Sequence, residues 1–388
     1  FASANRGWKP LLQVVLFCCE QSRYRYHHEP MNQDTINKLV RPEIRALKAY
    51  HVPPAQGLIK LDAMENPWSW SDDMRRAWLE TLQSVELNRY PDPAARDLQQ
   101  GLRAAMGVPG TAGVVLGNGS DELIQMIIQT VAAPGRVVLA PEPTFVMYRQ
   151  IGVVANMDYV GVPLTEDFAL DEAAMLAALE QHQPAVTFLA YPNNPTANLF
   201  DAGTVRNILS RATGLVVIDE AYAPFTDASF MGELGQHDNL LVLRTVSKMG
   251  LAGLRLGLLA GAPAWLEQID KTRLPYNISA VNQATGVFAL AHTDVFAEQA
   301  RAIREQRSAL ISALQALESL SVYPSDANFV LFRAPAGQAT AIFEGLKSAG
   351  ILIKNLHGSA AALQDCLRVT VGLPEENAAF LAALQQLL

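Results

Sequence analysis

The sequence has few cysteines, no long apolar run and no excess of positive charge, and each of these absences excludes a class of protein. Three cysteines among 388 residues form neither a disulfide framework nor a zinc-binding pattern, so we predict no metal site and a reducing, cytoplasmic location. No run of eighteen apolar residues occurs, so we expect no membrane-spanning helix. The formal net charge of −8 argues against a nucleic-acid partner, which requires a basic surface.

What remains is the composition of a globular protein, with half of its residues apolar and 18% charged. The chain is long enough for about two to three domains of ~150 residues. Its first thirty residues differ from the rest, and we expect Met31 to be the natural start and residues 1–30 to be a non-native or disordered extension. The alternative is a signal peptide around "LLQVVLFCC", which contains a glutamine and has no small-x-small cleavage site.

Short aliphatic runs alternate with helical patterns in the middle of the chain. The runs occupy residues 113–117, 136–140, 186–190, 215–219, 240–245 and 256–261, and the helical patterns include 121–132, 171–180 and 202–212. Continuous apolar strands separated by helices predict an α/β fold with a mostly parallel sheet covered on both faces. In such sheets, ligands bind beyond the carboxyl ends of the strands.

The pattern changes after about residue 295. Long helical patterns at 296–318, 338–349 and 375–388 enclose short strand-like runs, which predicts a smaller α+β domain at 295–388. We expect residues 81–290 to be the large, cofactor-binding domain. Residues 31–80 are expected to form an N-terminal arm and part of the small domain.

Two loops that follow predicted strands have the composition of ligand-binding turns. In "GNGSDE" (117–122), glycines let the backbone approach an anion, and the N–H groups of Gly119, Ser120 and Asp121 can hold a phosphate at a helix N-terminus. A plain turn with Ser120 or Asp121 as N-cap is the alternative. In "YPNNPTAN" (191–198), prolines stiffen the loop around two asparagines, and an ordinary proline-rich turn is the alternative.

Asp219 ends the buried run "LVVID" (215–219), and Tyr222 follows it by three residues. An unpaired carboxylate at such a position costs several kcal/mol, so it needs a cationic partner, for which a protonated ring nitrogen would serve. Tyr222 could reach the same ligand. A helix-capping aspartate is the alternative.

Lys248 follows the next strand, within "RTVSKMGLAGLRLG" (244–257). In an apolar pocket its pKa would fall and the amine would become a nucleophile. Ser247 and Arg255 could bind a phosphate together. A solvated loop lysine is the alternative for Lys248 alone. A covalent lysine, an aspartate for a ring nitrogen and a phosphate site are together what pyridoxal phosphate requires.

In this order of motifs the chain resembles the class-II-type aminotransferases of the fold-type-I pyridoxal-phosphate superfamily, and within them the histidinol-phosphate aminotransferases. The resemblance runs from about Arg41 to the C-terminus. It implies a large domain with a mostly parallel seven-stranded sheet and a smaller α+β domain. It further implies a homodimer with shared active sites and, as the reaction, transamination between histidinol phosphate and 2-oxoglutarate in histidine biosynthesis.

The resemblance also implies roles for individual residues. Lys248 would bind the cofactor covalently and later move a proton, and Asp219 would pair with the ring nitrogen. Tyr222 and Asn194 would bond the ring's phenolic oxygen, and Phe145 would stack on the ring. The residues implied around the cofactor phosphate are Gly119, Ser120, Asp121, Thr245, Ser247 and Arg255, with Tyr90 reaching across the dimer interface.

At the substrate end, the resemblance makes Arg368 the arginine that grips the anionic group, with Asn328 and Asn194 nearby. Histidinol phosphate carries a phosphate in place of a carboxylate, so further donors are expected. Lys354 lies where this group carries a basic residue, usually arginine. Tyr50 and Tyr276 match tyrosines that contact the substrate phosphate. A solvated strand-end lysine is the alternative for Lys354.

Three positions depart from the family pattern. Ala197 replaces a usual glycine, so we expect its turn to avoid a left-handed conformation. Phe145 replaces a frequent tyrosine, which keeps stacking and loses a hydroxyl. Met64 lies where many relatives have asparagine.

Other functions stay open at this point. The nearest are an aromatic or other amino-acid aminotransferase of the same class and a lyase similar to threonine-phosphate decarboxylase. A non-enzymatic regulator would need a DNA-binding domain ahead of residue 40, for which we expect too little room.

Overall fold

A computed structural model describes residues 33–49 and 53–388. Residues 33–49 belong to one unit and residues 53–388 to another. The first unit has two short helices, α1 (Gln33–Leu39) and α2 (Pro42–Ala46). Arg45 links them by donating to the Asn37 side-chain oxygen at 3.0 Å. The predicted extension at residues 1–30 lies outside the described residues.

The second unit alternates strands and helices along the chain. Its α-helices are α3 (Asp72–Leu82), α4 (Arg96–Ala105), α5 (Ser120–Val131), α6 (Met147–Val154), α7 (Glu172–His182), α8 (Ala202–Arg211), α9 (Pro263–Asp270), α10 (Ala280–Leu290), α11 (Thr293–Gln315), α12 (Ala339–Ser348) and α13 (Pro374–Leu387). Its strands are β1 (Ile59–Lys60), β2 (Gly113–Gly117), β3 (Val137–Glu142), β4 (Asp158–Pro163), β5 (Val186–Ala190), β6 (Leu215–Asp219), β7 (Leu240–Thr245), β8 (Gly257–Gly261), β9 (Ser321–Val322), β10 (Phe329–Arg333), β11 (Ile351–Leu352), β12 (Lys354–Asn355) and β13 (Cys366–Thr370).

Seven strands form one large sheet in the order β2-β8-β7-β6-β5-β3-β4. Strand β8 is antiparallel to both neighbours, and the other pairs are parallel. The predicted α/β fold with a mostly parallel seven-stranded sheet is therefore confirmed. The aliphatic runs predict six of these strands but not β4. That strand lies at the sheet edge, is largely half-exposed and ends at Pro163, so it lacks a continuous apolar run.

The large sheet is buried on both faces, as its apolar strands require. Along β6, Val216 and Ile218 join one hydrophobic cluster while Leu215 and Val217 join another. Since successive side chains of a strand point to opposite faces, these clusters are the cores above and below the sheet.

The C-terminal elements build a second, smaller layer. Strands β12-β13-β10-β9 form an antiparallel sheet, and β1 pairs in parallel with β11. A third hydrophobic cluster, which includes Phe329 and Phe380, packs this sheet against α11, α12 and α13. The α+β character predicted for this part is confirmed, whereas the exact domain boundaries stay a prediction. The β1–β11 pairing brings residues 59–60 to the C-terminal elements.

The carboxyl ends of β2, β3, β5, β6 and β7 lie along one edge of the large sheet, because these strands run in the same direction. The loops that follow them therefore converge on one place. In the described parts of the chain, no helix is both long and apolar enough to span a membrane.

Candidate active site

Gly119 and Arg255 shape the turn between β2 and α5. Gly119, rather than Ser120 or Asp121, is the N-cap of α5, and its φ is +88°. A Cβ atom at this position would lie 2.8 Å from Arg255 Nη2, so a glycine is needed for so close an approach. Arg255 Nη2 also lies 3.2 Å from Asp121 Oδ2. A helix N-terminus and a guanidinium thus lie side by side, as a phosphate site requires.

A π-helical turn, Ser247–Leu251, follows β7 and carries Lys248. The Thr245 hydroxyl accepts from the Ser247 N–H at 3.1 Å and lies 2.9 Å from the Ser247 hydroxyl. Both hydroxyl side chains are buried. Their mutual contacts fix the start of the turn, and hence the point from which Lys248 leaves the backbone.

The Lys248 side chain enters an interior cleft. Its Nζ donates to the Ala63 carbonyl at 3.2 Å and lies 5.9 Å from the centre of the Tyr222 ring. Burial and, secondly, the positive charge of Arg368 lower the pKa of Lys248 to about 8. This environment differs from that of a solvated loop lysine and makes a larger fraction of the amine neutral and nucleophilic than in water.

Asp219 ends β6 with its carboxylate buried at the floor of the cleft. Oδ1 accepts from the Ala221 N–H at 3.1 Å, and Oδ2 accepts from the Tyr148 hydroxyl at 2.7 Å. Burial raises the pKa of Asp219 to about 6, although both hydrogen bonds act in the opposite direction. Both donors are neutral groups, and among the described residues Asp219 forms no ion pair with a cationic side chain.

Arg368, on β13, connects the small sheet to the asparagine loop. Its Nη1 donates to Asn194 Oδ1 at 2.5 Å, and its Nη2 donates to the Asp62 carbonyl at 3.0 Å. The guanidinium lies over the Phe329 ring at 5.2 Å. The neighbouring Asn193 is bonded within its own loop and to Pro143 and Thr144, so of the two asparagines only Asn194 reaches Arg368.

The residues predicted around a cofactor largely meet in one cleft. Ten of them line it: Ser120, Asp121, Phe145, Asn194, Asp219, Tyr222, Thr245, Ser247, Lys248 and Arg255. Tyr148 and Met64 line it as well. In residues 33–49 and 53–388, no group of three or more His, Cys, Asp or Glu side chains could hold a metal ion. The Arg255 guanidinium and the Phe145 ring among its lining suit an anionic, ring-containing ligand.

The family model of aminotransferase class I and II matches residues 56–384. The chain belongs to this aminotransferase family. The resemblance drawn from its motifs is thereby confirmed.

Two relatives and one solved structure show how far the likeness extends. Histidinol-phosphate aminotransferase 2 of Nitrosococcus oceani is 54% identical over 92% of this chain and 99% of its own. Histidinol-phosphate aminotransferase of Chromobacterium violaceum is 53% identical over 91% of this chain and 98% of its own. Histidinol-phosphate aminotransferase of Sinorhizobium meliloti, solved in complex with pyridoxal-5'-phosphate, is 26% identical, with a TM-score of 0.80 over 90% of this chain and 97% of that one. The predicted fold-type-I architecture is confirmed.

The aminotransferase cleft has a wall that the sequence motifs do not predict. The consecutive carbonyls of Asp62, Ala63 and Met64 accept from Arg368 Nη2, Lys248 Nζ and Asn328 Nδ2. Backbone carbonyls have no sequence signature, so this segment could not be found from the motifs. Met64 has a φ of +53°, a left-handed conformation that asparagine adopts more readily than methionine. This conformation agrees with the asparagine that the resemblance implies at this position.

Tyr148 is the second site residue absent from the prediction. It lies three residues after Phe145, and its hydroxyl contacts Asp219. A tyrosine three residues after an expected ring-stacking residue was the available signal.

Four other predicted residues are not among those that line this cleft in the described parts of the chain. Tyr90 and Tyr276 stack on each other, with ring centres 4.3 Å apart, and are 79% and 40% exposed. Lys354 is directly opposite Arg368 in the β12–β13 register. Tyr50 lies outside the described residues. The site roles of these four residues stay predictions.

The expectation for Ala197 is wrong, because its φ is +69°. Its N–H donates to the Asn193 carbonyl at 2.8 Å, and its carbonyl accepts from the Asp326 N–H at 2.8 Å. Its methyl group is fully buried. These bonds and this packing hold an alanine in a conformation that costs roughly 1–2 kcal/mol.

Proposed function

We propose that this aminotransferase uses pyridoxal phosphate and transfers the amino group of glutamate to imidazole acetol phosphate, which yields histidinol phosphate and 2-oxoglutarate in histidine biosynthesis. The observation that carries this proposal is the identity of 54% and 53% to two histidinol-phosphate aminotransferases over more than nine-tenths of the chain. We also propose that it acts in the cytoplasm, where small-molecule biosynthesis takes place.

The residues present fit the cofactor. The space at Gly119, which a Cβ would fill, suits the close approach of a phosphate to Arg255 and the α5 N-terminus. The phosphate would be held by Gly119, Ser120, Asp121, Thr245, Ser247 and Arg255. Asp219 would pair with the ring nitrogen, Tyr222 and Asn194 would bond the phenolic oxygen, and Phe145 would stack on the ring. When bound, the cofactor supplies an electron sink for the charge that develops at the amine-bearing carbon.

Lys248 does the proton chemistry in this proposal. With a pKa of about 8, its amine is partly neutral near physiological pH and can take up a proton. Lys248 would take the proton from the substrate carbon that carries the amino nitrogen. It would then return the proton to the cofactor carbon that is joined to the same nitrogen. The Ala63 carbonyl, 3.2 Å from Nζ, keeps the amine inside the cleft. The centre of the Tyr222 ring lies 5.9 Å from the amine.

The substrate phosphate would bind between Arg368 and Lys354. Directly opposite residues of an antiparallel pair lie on the same face, and like charges there repel each other. A phosphate placed between them removes this repulsion and accepts charge-assisted hydrogen bonds from both. Asn328, Asn194, Tyr50 and Tyr276 are the remaining proposed contacts of the substrate.

We further propose a homodimer with shared sites. Tyr90 is exposed and outside the cleft of its own chain, as a residue that serves a partner's cofactor phosphate would be. Leu87 and Leu274 are more than two-thirds exposed, and a second chain would cover them. Light scattering should give the mass of two chains, and a fully active monomer would contradict the proposal.

Replacing Lys354 by alanine tests the donor assignment. Loss of its charge-assisted hydrogen bond, worth roughly 1.5–3 kcal/mol, should lower kcat/KM for histidinol phosphate about ten- to a hundredfold. An aromatic amino acid held by Arg368 alone should react almost as before. The measurement is the change of cofactor absorbance when each donor is added to wild type and variant.

Lys347→Ala, on α12, is the matched control. Equal losses for both donors, or none for either, would contradict a substrate phosphate bound between Arg368 and Lys354. Reaction with aromatic amino acids alone would indicate an aromatic aminotransferase. Release of carbon dioxide from threonine phosphate would indicate a lyase.

A further inference from the structure

Tyr148, on α6, is fully buried and held in a single orientation. Its ring stacks on Phe188 of β5, with ring centres 4.6 Å apart and planes 10° apart. The Phe145 ring meets it edge-on at 5.6 Å. The hydroxyl donates to Asp219 Oδ2 at 2.7 Å. The stacking on Phe188, the edge contact with Phe145 and the hydrogen bond to Asp219 together fix the direction of the hydroxyl.

The surroundings of Asp219 oppose its ionisation. Burial is the main cause, and the negative charges of Asp121 and Glu220 add to it. The Tyr148 hydroxyl and the Ala221 N–H act the other way, because hydrogen bonds to a carboxylate favour its charged form. The titratable groups around this carboxylate are Asp121 on α5, Tyr148 on α6, Glu220 and Tyr222 after β6, and Lys248 after β7.

We propose that Tyr148 is the positioning residue of Asp219, whose carboxylate it holds ionised and directed at the ring nitrogen of the cofactor. This inference rests on the proposed function, which makes Asp219 the partner of that nitrogen. The Tyr148 hydroxyl occupies Oδ2 and the Ala221 N–H occupies Oδ1, so the carboxylate cannot rotate without breaking two hydrogen bonds. The pKa of Tyr148 is raised well above its usual value by burial and by Asp219, so the hydroxyl remains a donor at every working pH.

The variant Tyr148→Phe removes the hydroxyl and keeps the ring that packs on Phe188. Tyr159→Phe is the matched control. Tyr159 is a half-buried tyrosine on β4 whose hydroxyl pairs with the carboxylate of Glu142 instead of Asp219. Thermal unfolding of both variants verifies that they fold as the wild type does.

The experiment measures the dissociation constant of 4-deoxypyridoxine 5'-phosphate between pH 5 and 9. This probe has the ring nitrogen and the phosphate, but it lacks the aldehyde and cannot bond covalently to Lys248. Tyr148→Phe should bind the probe about three- to tenfold more weakly at pH 7. Because the lost hydrogen bond favours the charged carboxylate, the decrease in affinity on acidification should begin at a higher pH than in the wild type. Tyr159→Phe should stay within about twofold of wild type at every pH.

Unchanged binding by Tyr148→Phe would overturn the proposal. A loss of probe affinity that is equal at all pH values would overturn it as well. Such a loss would mean that Tyr148 acts only through packing and not through the ionisation of Asp219. If the wild type itself fails to bind the probe, the cofactor proposal fails, which is a separate outcome.

A double-mutant cycle tests whether Tyr148 acts through Asp219. In an Asp219→Asn background, Tyr148→Phe should change the dissociation constant by less than about twofold, because the carboxylate on which it acts is absent. A loss as large as in the wild-type background would contradict the proposal.

Discussion

At the scale of single residues, burial prepares the reacting groups of this aminotransferase. Burial lowers the pKa of Lys248 to about 8 and raises that of Asp219 to about 6. Each group is therefore held closer to neutrality than it would be in water. A cofactor with a cationic ring nitrogen compensates the carboxylate, so the cost of burying it falls on the cofactor-free protein.

Asp219→Asn should accordingly stabilise the cofactor-free protein at neutral pH. The folded pKa is raised, so the folded state binds more protons than the unfolded state between pH 3.8 and about 6. The cost of ionisation is absent below pH 3.8 and complete above about pH 6. The rise of the Asp219 pKa from 3.8 to about 6 lowers the free energy of unfolding above pH 6 by roughly 3 kcal/mol. Asparagine offers one acceptor where the carboxylate offers two, so we expect a gain of about 1–2 kcal/mol.

Urea unfolding at pH 7.5 and at pH 4 measures this effect. The gain should be present at pH 7.5 and nearly absent at pH 4. A destabilised variant at pH 7.5, or an equal gain at both pH values, would contradict the raised pKa of Asp219.

At the scale of elements, the site is made by turns that follow buried strands. Aliphatic runs predict such strands well because both faces of the sheet are apolar, and the residue that ends each run is then placed at the site edge, as Asp219 is at the end of β6. The same reasoning fails for β4, a half-exposed edge strand. It also fails for the carbonyl wall at Asp62–Met64, since any residue type supplies a carbonyl.

Gly119→Ala tests the turn at the start of α5. The new Cβ would displace the Arg255 guanidinium, 2.8 Å away, and a φ of +88° is unfavourable for alanine. Loss of one charge-assisted hydrogen bond to the phosphate should weaken pyridoxal phosphate binding at least about tenfold. Gly110→Ala is the control, because nothing lies within 4 Å of its Cβ position. Equal cofactor affinity in the two variants would show that this turn does not hold the phosphate.

At the scale of the whole molecule, the sequence predicts the order in which cleft residues appear but not every distance between them. Lys248, Asp219 and Arg255 are brought to one cleft as expected, because parallel strands end at one edge. Tyr90 and Tyr276 stack on the exposed surface instead. A single-chain argument cannot place residues whose proposed contacts include a second chain. The left-handed Ala197 was mispredicted because its stabilising bonds come from Asn193 and Asp326, the second of which is distant in the sequence.

The central claim is that Lys248 binds pyridoxal phosphate covalently in the cleft. Borohydride reduction of the cofactor-loaded protein, followed by mass analysis of its peptides, tests this claim most directly. The label should be found on Lys248, should persist in Lys354→Ala and should be lost in Lys248→Ala. A label on another lysine of the wild-type protein, or a label that survives in Lys248→Ala, would contradict the account.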